Sequence, residues 1–167
     1  MSNLFFSFLL ALSTLPGKPV APTLTQVREL YKEAAKSETA CKDLLAILEP
    51  YDQNNNALYL GYKASATMMM AKHSLNPFSK LSWFNKGKRM LETAIKASQK
   101  NVELRCLRFA AQSNIPSFLG YHDHIKLDKT FILEKYSQVK DETLKKNIVT
   151  FLTEWGKLTP AEREVLK

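Results

Sequence analysis

The segment ALYLGYKASATMMMAKH, residues 57–73, decides the fold class predicted for this chain. At helical spacing its apolar side chains fall on two faces instead of one. The two faces consist of Tyr59, Tyr62, Ala66, Met69, Met70 and His73 and of Leu60, Ala64, Met68 and Ala71. A helix that is apolar on two sides usually lies in the interior of a fold. We therefore predict a central helix here, with the three consecutive methionines as adaptable core packing and not as a cofactor site.

The segments on both sides of this helix also have helical spacing, and none alternates with a period of two. The clearest apolar stripe is Leu144, Ile148, Phe151, Leu152 and Trp155. Seven prolines and only five glycines suit helices joined by short loops. Thr25, Asp141 and Thr159 are predicted N-caps. We predict an all-α fold of about six to eight helices, stacked as antiparallel hairpins in an α-α superhelix, as one domain over 23–167.

Composition and charge allow several kinds of partner. The chain has 167 residues, of which 45% are hydrophobic and 24% charged, as is usual for one globular domain with a core. Its formal net charge of +8 can steer the chain toward nucleic acid, anionic lipid or an acidic protein, but does not select among them, and we expect nucleic acid not to be the partner. Cys41 and Cys106 lack the spacing of a metal site. We expect two buried thiols that act as small hydrophobic groups, and a disulfide between them is possible only if the chain is exported.

The first 22 residues differ from the rest of the chain. The apolar run NLFFSFLLAL, residues 3–12, is too short to span a bilayer but has the length of a signal-peptide core. Small residues at Ala11 and Ser13 allow cleavage before Thr14. We predict an export signal over 1–13, a linker to residue 22, and no transmembrane span in the mature chain. No Lys or Arg precedes the run, so the alternatives are an amphipathic or buried N-terminal segment of a cytoplasmic protein, or a wrongly assigned start codon that removed a basic segment.

Residues 57–100 resemble a tetratricopeptide-type (TPR-like) helical repeat. Leu60-Gly61 followed by Ala64 is similar to the small-residue face of a first repeat helix. Gly87, Leu91 and Ala94 are similar to the matching face of the second. The resemblance implies two helices that approach closely, with about 12 extra residues around SLNPFSKLS between them. The run LRFAAQSNIPSFLGY, residues 107–121, resembles an element of uncharacterised bacterial exported helical proteins, which implies no activity.

The stretch SNIPSFLGYHDHIKLDK, residues 113–129, contains a proline, a glycine and two histidines on either side of an aspartate. Pro116 disfavours helix in the residue before it, so one helix ends there. On a helix, residues two apart point about 200° away from each other, so His122 and His124 cannot share a metal if both are helical. We interpret the stretch as a helix-to-helix corner, with Asp123 as the N-cap of the next helix. A partner-binding surface and a metal or acid–base site are the alternatives.

No common catalytic motif is present in the sequence, and three histidines without a carboxylate cluster form no usual catalytic set. Eight basic residues fall within thirty positions, interleaved with Trp83 and Phe84: Lys80, Lys86, Lys88, Arg89, Lys96, Lys100, Arg105 and Arg108. Such a patch can hold phosphates and stack bases. We interpret it instead as the solvated face of a helix whose aromatic residues belong to the core.

We expect a non-enzymatic helical domain, exported to the periplasm or cell envelope, that binds a protein or peptide in a groove between hairpins. Arg105 and Arg108 can present guanidinium groups to a carboxylate. The residues predicted to contact the partner are Arg105, Arg108, Tyr121, His122 and His124. We predict no catalytic residue, no metal and no cofactor. The alternatives are a basic cytoplasmic nucleic-acid-associated protein and an enzyme whose fold gathers His122 or His124 with Asp128 and Arg105.

Overall fold

A computed structural model describes residues 21–167 and confirms the predicted all-α class. This part of the chain contains eight α-helices and no strand. The helices are α1 (Leu24–Ala34), α2 (Glu38–Ile47), α3 (Ala57–His73), α4 (Pro77–Ala97), α5 (Val102–Asn114), α6 (Ile125–Lys135), α7 (Glu142–Trp155) and α8 (Pro160–Glu164). Short 3-10 turns lie at Ser117–Leu119 and Tyr136–Gln138. The predicted export signal and residues 14–20 of the predicted linker lie outside the described residues.

Local sequence sets most helix starts, because short polar side chains accept hydrogen bonds from the free N–H groups of the first turn. Asp141 and Thr159 are N-caps as predicted, and Thr159 forms a capping box with Glu162. Thr25 is not a cap, so that prediction is wrong. Thr23 caps α1 instead, because Gln26 completes a capping box with it at 2.8 and 3.2 Å.

The most extensive helix pair is the hairpin of α3 and α4. Only residues 74–76 separate the two helices, so the expected 12-residue insertion is wrong. The Asn76 side chain caps α4 and Pro77 occupies its first position, which starts the helix earlier than the apolar pattern indicates. A Cβ atom on Gly87 would lie 2.6 Å from the carbonyl oxygen of Ala64, so the small residue is what allows this close contact.

The prediction that residues 57–73 form a central helix is confirmed. Helix α3 contacts α1, α2, α4 and α5, and both of its apolar faces contribute buried residues. Gly61 does not face α4: a Cβ there would meet Leu104 of α5. The methionines 68–70 pack in or against this core as predicted.

Helix α5 is shared by two hydrophobic clusters. Leu104 and Leu107 belong to a cluster formed with helices α1 to α4. Cys106 and Phe109, on the other side of the helix, belong to a cluster formed with α6, α7 and the segment around Leu158. All four side chains are almost completely buried. Three polar residues of α5, namely Glu103, Arg108 and Gln112, are buried together with them.

The two cysteines are free and buried, as predicted. Cys41 lies in the first cluster, where its thiol donates to the carbonyl oxygen of Ala66 at 3.2 Å, and Cys106 lies in the second cluster. Burial raises the pKa of the Cys41 thiol to about 11 and raises that of Cys106 further. Both groups are neutral thiols at ordinary pH.

Among residues 21–167, none of the helices has the combination of length and hydropathy that a membrane span requires.

Candidate functional site

The centre of the polar structure is a buried ion pair between α5 and α6. Arg108 donates from Nε and Nη2 to the two carboxylate oxygens of Asp128, at 2.7 Å each. The two side chains are 2% and 0% exposed. Arg105 adds a third hydrogen bond to Asp128 at 3.1 Å. The arrangement is a bidentate pair of the kind that combines strength with fixed geometry.

Two further residues complete this cluster from α4 and from the corner before α6. Glu92 accepts from Nη1 of Arg108 at 2.8 Å and from the hydroxyl of Tyr121 at 2.5 Å. Burial alone would lower the pKa of the Arg108 guanidinium, but Asp128 and Glu92 raise it overall. Burial, together with the hydrogen bond to Glu92, raises the pKa of the Tyr121 phenol. The cluster ties α4, α5 and α6 together.

The structure therefore brings three of the five predicted partner-contact residues into one internal network. Arg108 and Tyr121 are each 2% exposed, and Arg105 is engaged by Asp128 and by the carbonyl oxygen of Gln99. The sequence analysis predicts that Arg105 and Arg108 bind a carboxylate of a partner, and in the structure both bind the carboxylate of Asp128 in the same chain. Arg108 and Tyr121 offer almost no surface to a partner in this conformation.

The two histidines lie in the turn that precedes α6. His122 Nε2 is 3.3 Å from the carbonyl oxygen of Ile115, and the backbone N–H of His124 donates to the side chain of Gln112 at 3.2 Å. Neither imidazole is hydrogen-bonded to Asp128 or Arg105. The enzyme alternative required those groups to meet, and the histidine side chains do not join this cluster.

The corner between helices was predicted correctly, but its cap was not. Helix α6 begins at Ile125, so His122 and His124 are not helical and the argument from helix geometry does not apply to them. His124 occupies the N-cap position without a side-chain hydrogen bond, and Asp123 makes none. The corner is held instead by Gly120, whose φ of 58° favours glycine, and by Gln112 on α5.

A second buried network links α1, α3, α5 and α7. Arg28 donates to both carboxylate oxygens of Glu103, at 2.7 and 2.8 Å, and to Asp141 at 2.8 Å. The hydroxyl of Tyr62 also donates to Glu103. The hydrogen bond to Glu103 is the main reason that the pKa of Arg28 is raised, whereas burial is the main reason for Tyr62. Sequence reasoning did not find this network.

Beside this network lies an open cleft of about 460 Å³, which we call the α5–α7 cleft. It is lined by the starts of α5 and α7 and by the end of α6. Its apolar lining is Val102, Val139 and Leu144. Its basic residues are Lys100, Lys135 and Lys140, and none of the three has a carboxylate partner within the described residues.

The eight basic residues between positions 80 and 108 do not all lie on the surface. Arg108 is buried in its ion pair and Phe84 is buried in the core, as predicted. The ammonium group of Lys88 lies 4.7 Å from the ring centre of Tyr121, and that of Lys86 lies 5.7 Å from the ring centre of Trp83. Within residues 21–167, no group of three or more His, Cys, Asp or Glu side chains is placed to hold a metal ion.

In comparisons with protein-family models, curated proteins and solved structures, none matches this chain.

Proposed function

We propose that this chain is a binding domain that takes an acidic segment of a protein or peptide in the α5–α7 cleft. The observation that carries the proposal is the set of three lysines without carboxylate partners beside an apolar lining. Clefts of several hundred cubic ångströms with an apolar lining and a few charged groups are the usual form of a ligand site. An extended acidic segment would place carboxylates near the lysines and apolar side chains against Val139 and Leu144.

The helix ends support an anionic ligand as well. Helices α5 and α7 both begin at the cleft, and the N-terminus of a helix carries partial positive charge. Two acidic side chains also line the cleft, namely Glu103 and Asp141, but both accept hydrogen bonds from Arg28. Arg28 therefore offsets part of the negative charge that would otherwise oppose an acidic ligand.

The test is the binding of a fluorescein-labelled peptide that alternates Glu with Leu or Val, measured by anisotropy. Its counterpart with Gln in place of Glu is the ligand control. We expect the acidic peptide to bind more tightly than the Gln peptide, and Lys140→Glu to weaken its binding by about tenfold. Lys126→Glu is the matched protein control, because Lys126 is also exposed and unpaired but does not line the cleft.

Equal binding of the two peptides would contradict the proposal, because the lysines would then have no role. An equal loss from Lys140→Glu and Lys126→Glu would also contradict it, since the effect would come from the net charge and not from the cleft.

We also propose that the domain acts outside the cytoplasm, in the periplasm or cell envelope, and that α3 and α4 are a TPR-like pair. Export is supported by the apolar run at residues 3–12, and the TPR-like pairing by the contact of Gly87 with Ala64. Cell fractionation with the mass of the mature chain tests export. Loss of residues 1–13 is the expected result, and an intact Met1 in the cytoplasm would contradict it.

A further inference from the structure

The end of the α3–α4 hairpin, residues 74–82, exposes large apolar side chains. Leu75 is 97% exposed, Phe78 is 84% exposed and Leu81 is 48% exposed. Phe78 and Leu81 are one helical turn apart on α4, and Leu75 lies in the loop just before it. Neighbouring large apolar residues left in water commonly mark a surface that binds a partner or a membrane.

The charge around this hairpin end has one sign. Lys72 and Lys80 lie beside the loop, and Lys86, Lys88 and Arg89 follow about two to three helical turns further along α4. No Asp or Glu occurs anywhere from residue 53 to residue 91. The acidic group of α2 that lies near His73 is Glu38, and it is paired with Lys42 at 2.7 Å. The hairpin end therefore joins exposed apolar side chains to uncompensated positive charge.

We propose that the hairpin end binds the surface of an anionic lipid bilayer, with Leu75 and Phe78 inserted among the acyl chains. Basic residues beside exposed Leu and Phe are the usual composition of peripheral membrane contacts, because the cations attract anionic headgroups and the apolar side chains leave water. All residues from 75 to 78 and from 80 to 82 are exposed, so the end of the hairpin can enter a fluid surface without a shaped partner. Lys72 lies in the last turn of α3 and Lys80 in the first turn of α4, so both lie beside the loop that would meet the headgroups.

The position of the hairpin end separates this surface from the α5–α7 cleft. The cleft lies at the start of α5, beside the residue pair Arg28 and Glu103. The hairpin end lies at the other end of α4, because α4 runs from Pro77 to Ala97 and α5 begins shortly afterwards. Membrane contact at one end would leave the cleft open to a ligand.

The test is sedimentation of the full chain with vesicles of phosphatidylcholine and phosphatidylglycerol, compared with vesicles of phosphatidylcholine alone. We expect binding to the anionic vesicles that weakens as salt is added. The double variant Leu75→Ser/Phe78→Ser should lower the partition constant by about tenfold or more, because two large apolar groups no longer insert. Every variant keeps residues 1–20, so the apolar run there contributes equally.

A matched pair of single variants separates insertion from a general loss of apolar surface. Leu81 and Val165 are each 48% exposed, and Val165 lies near the C-terminus, away from the hairpin. We expect Leu81→Ser to weaken vesicle binding and Val165→Ser to leave it unchanged.

Three results would overturn the proposal: no binding to anionic vesicles at low salt, binding that the double variant leaves unchanged, or equal losses from Leu81→Ser and Val165→Ser. Capture of an acidic protein that depends on Leu75 and Phe78, without vesicle binding, would also overturn it in favour of a protein partner.

Discussion

Arg108 and Asp128 are 20 residues apart in sequence and form a fully buried, bidentate ion pair. Burying two charges is costly, and the cost is offset only when each charge keeps its partner. Arg105 and Glu92 supply additional partners at 3.1 and 2.8 Å. The pair therefore holds α6 against α5 in one register, and the loss of either member leaves a charge without compensation in the interior.

We therefore expect replacement of the Asp128 carboxylate to destabilise the protein strongly. We expect Asp128→Ala to lower the free energy of unfolding by about 3–5 kcal/mol, because Arg108 remains buried without its main partner. Urea denaturation followed by circular dichroism measures the change. Asp123→Ala is the control, since Asp123 is exposed and should change the value by about 0.5 kcal/mol at most. Similar values for the two variants would show that the buried pair does not contribute.

The close contact of α3 and α4 gives a second prediction. Alanine is normally about 1 kcal/mol better than glycine inside a helix. At Gly87, however, the added methyl group would lie 2.6 Å from the backbone oxygen of Ala64, so we expect Gly87→Ala to destabilise the protein by about 1–3 kcal/mol. At Gly61 the conflict is with the movable end of Leu104. The melting temperature should fall more for Gly87→Ala than for Gly61→Ala, and the reverse order would contradict the packing described here.

Asp141 gives a prediction about pH. Its hydrogen bond from the Leu144 backbone and its pair with Arg28 hold its pKa below the usual value. The stabilisation is therefore present above the unfolded pKa of about 3.9 and is lost as the pH falls through the lower folded pKa. Asp141→Asn keeps the cap but removes the charge, and should cost about 1 kcal/mol at neutral pH, because Asp141 is partly exposed. The difference from the unchanged protein should vanish in strong acid when both are denatured in urea.

The cysteines allow a direct check of burial. A thiol reagent such as dithionitrobenzoate attacks thiolates, and both Cys41 and Cys106 are buried with raised pKa values. We expect no reaction in the folded protein at neutral pH and reaction of both thiols in guanidinium. A folded chain whose mass is lower by two hydrogen atoms would instead reveal a disulfide, for which Cys41 and Cys106 would have to leave separate clusters.

The helices could be predicted from the sequence because helix caps and apolar spacing involve residues that are close together in the chain. Thr159, Pro160 and Glu162 specify the start of α8 by themselves, and the apolar spacing of residues 57–73 specifies a helix with two buried faces. The insertion expected around SLNPFSKLS was wrong because Asn76 and Pro77 begin α4 within it, although the exposed Leu75 and Phe78 interrupt the apolar pattern.

The site residues depend on long-range contacts and were harder to predict. Glu103 and Arg108 lie among apolar residues on α5, which is itself a signal, because a charge on a buried helix requires a partner. The partners, Arg28 and Asp128, come from 75 and 20 residues away, so sequence spacing could not identify them. The cleft lysines belong to different helix ends for the same reason, and only the fold brings Lys100 near Lys140.

Helix α5 packs one face into each hydrophobic cluster, and this arrangement affects how the protein unfolds. If α6 and α7 detached, Phe109 would be uncovered, and if α3 and α4 detached, Leu104 would lose the neighbours that cover it. Unfolding of either cluster would remove packing from the other, so calorimetry should record one thermal transition and not two. Proteolytic cleavage within α5 would consequently unfold both clusters, whereas cleavage near Asp52 would leave most of the helices folded.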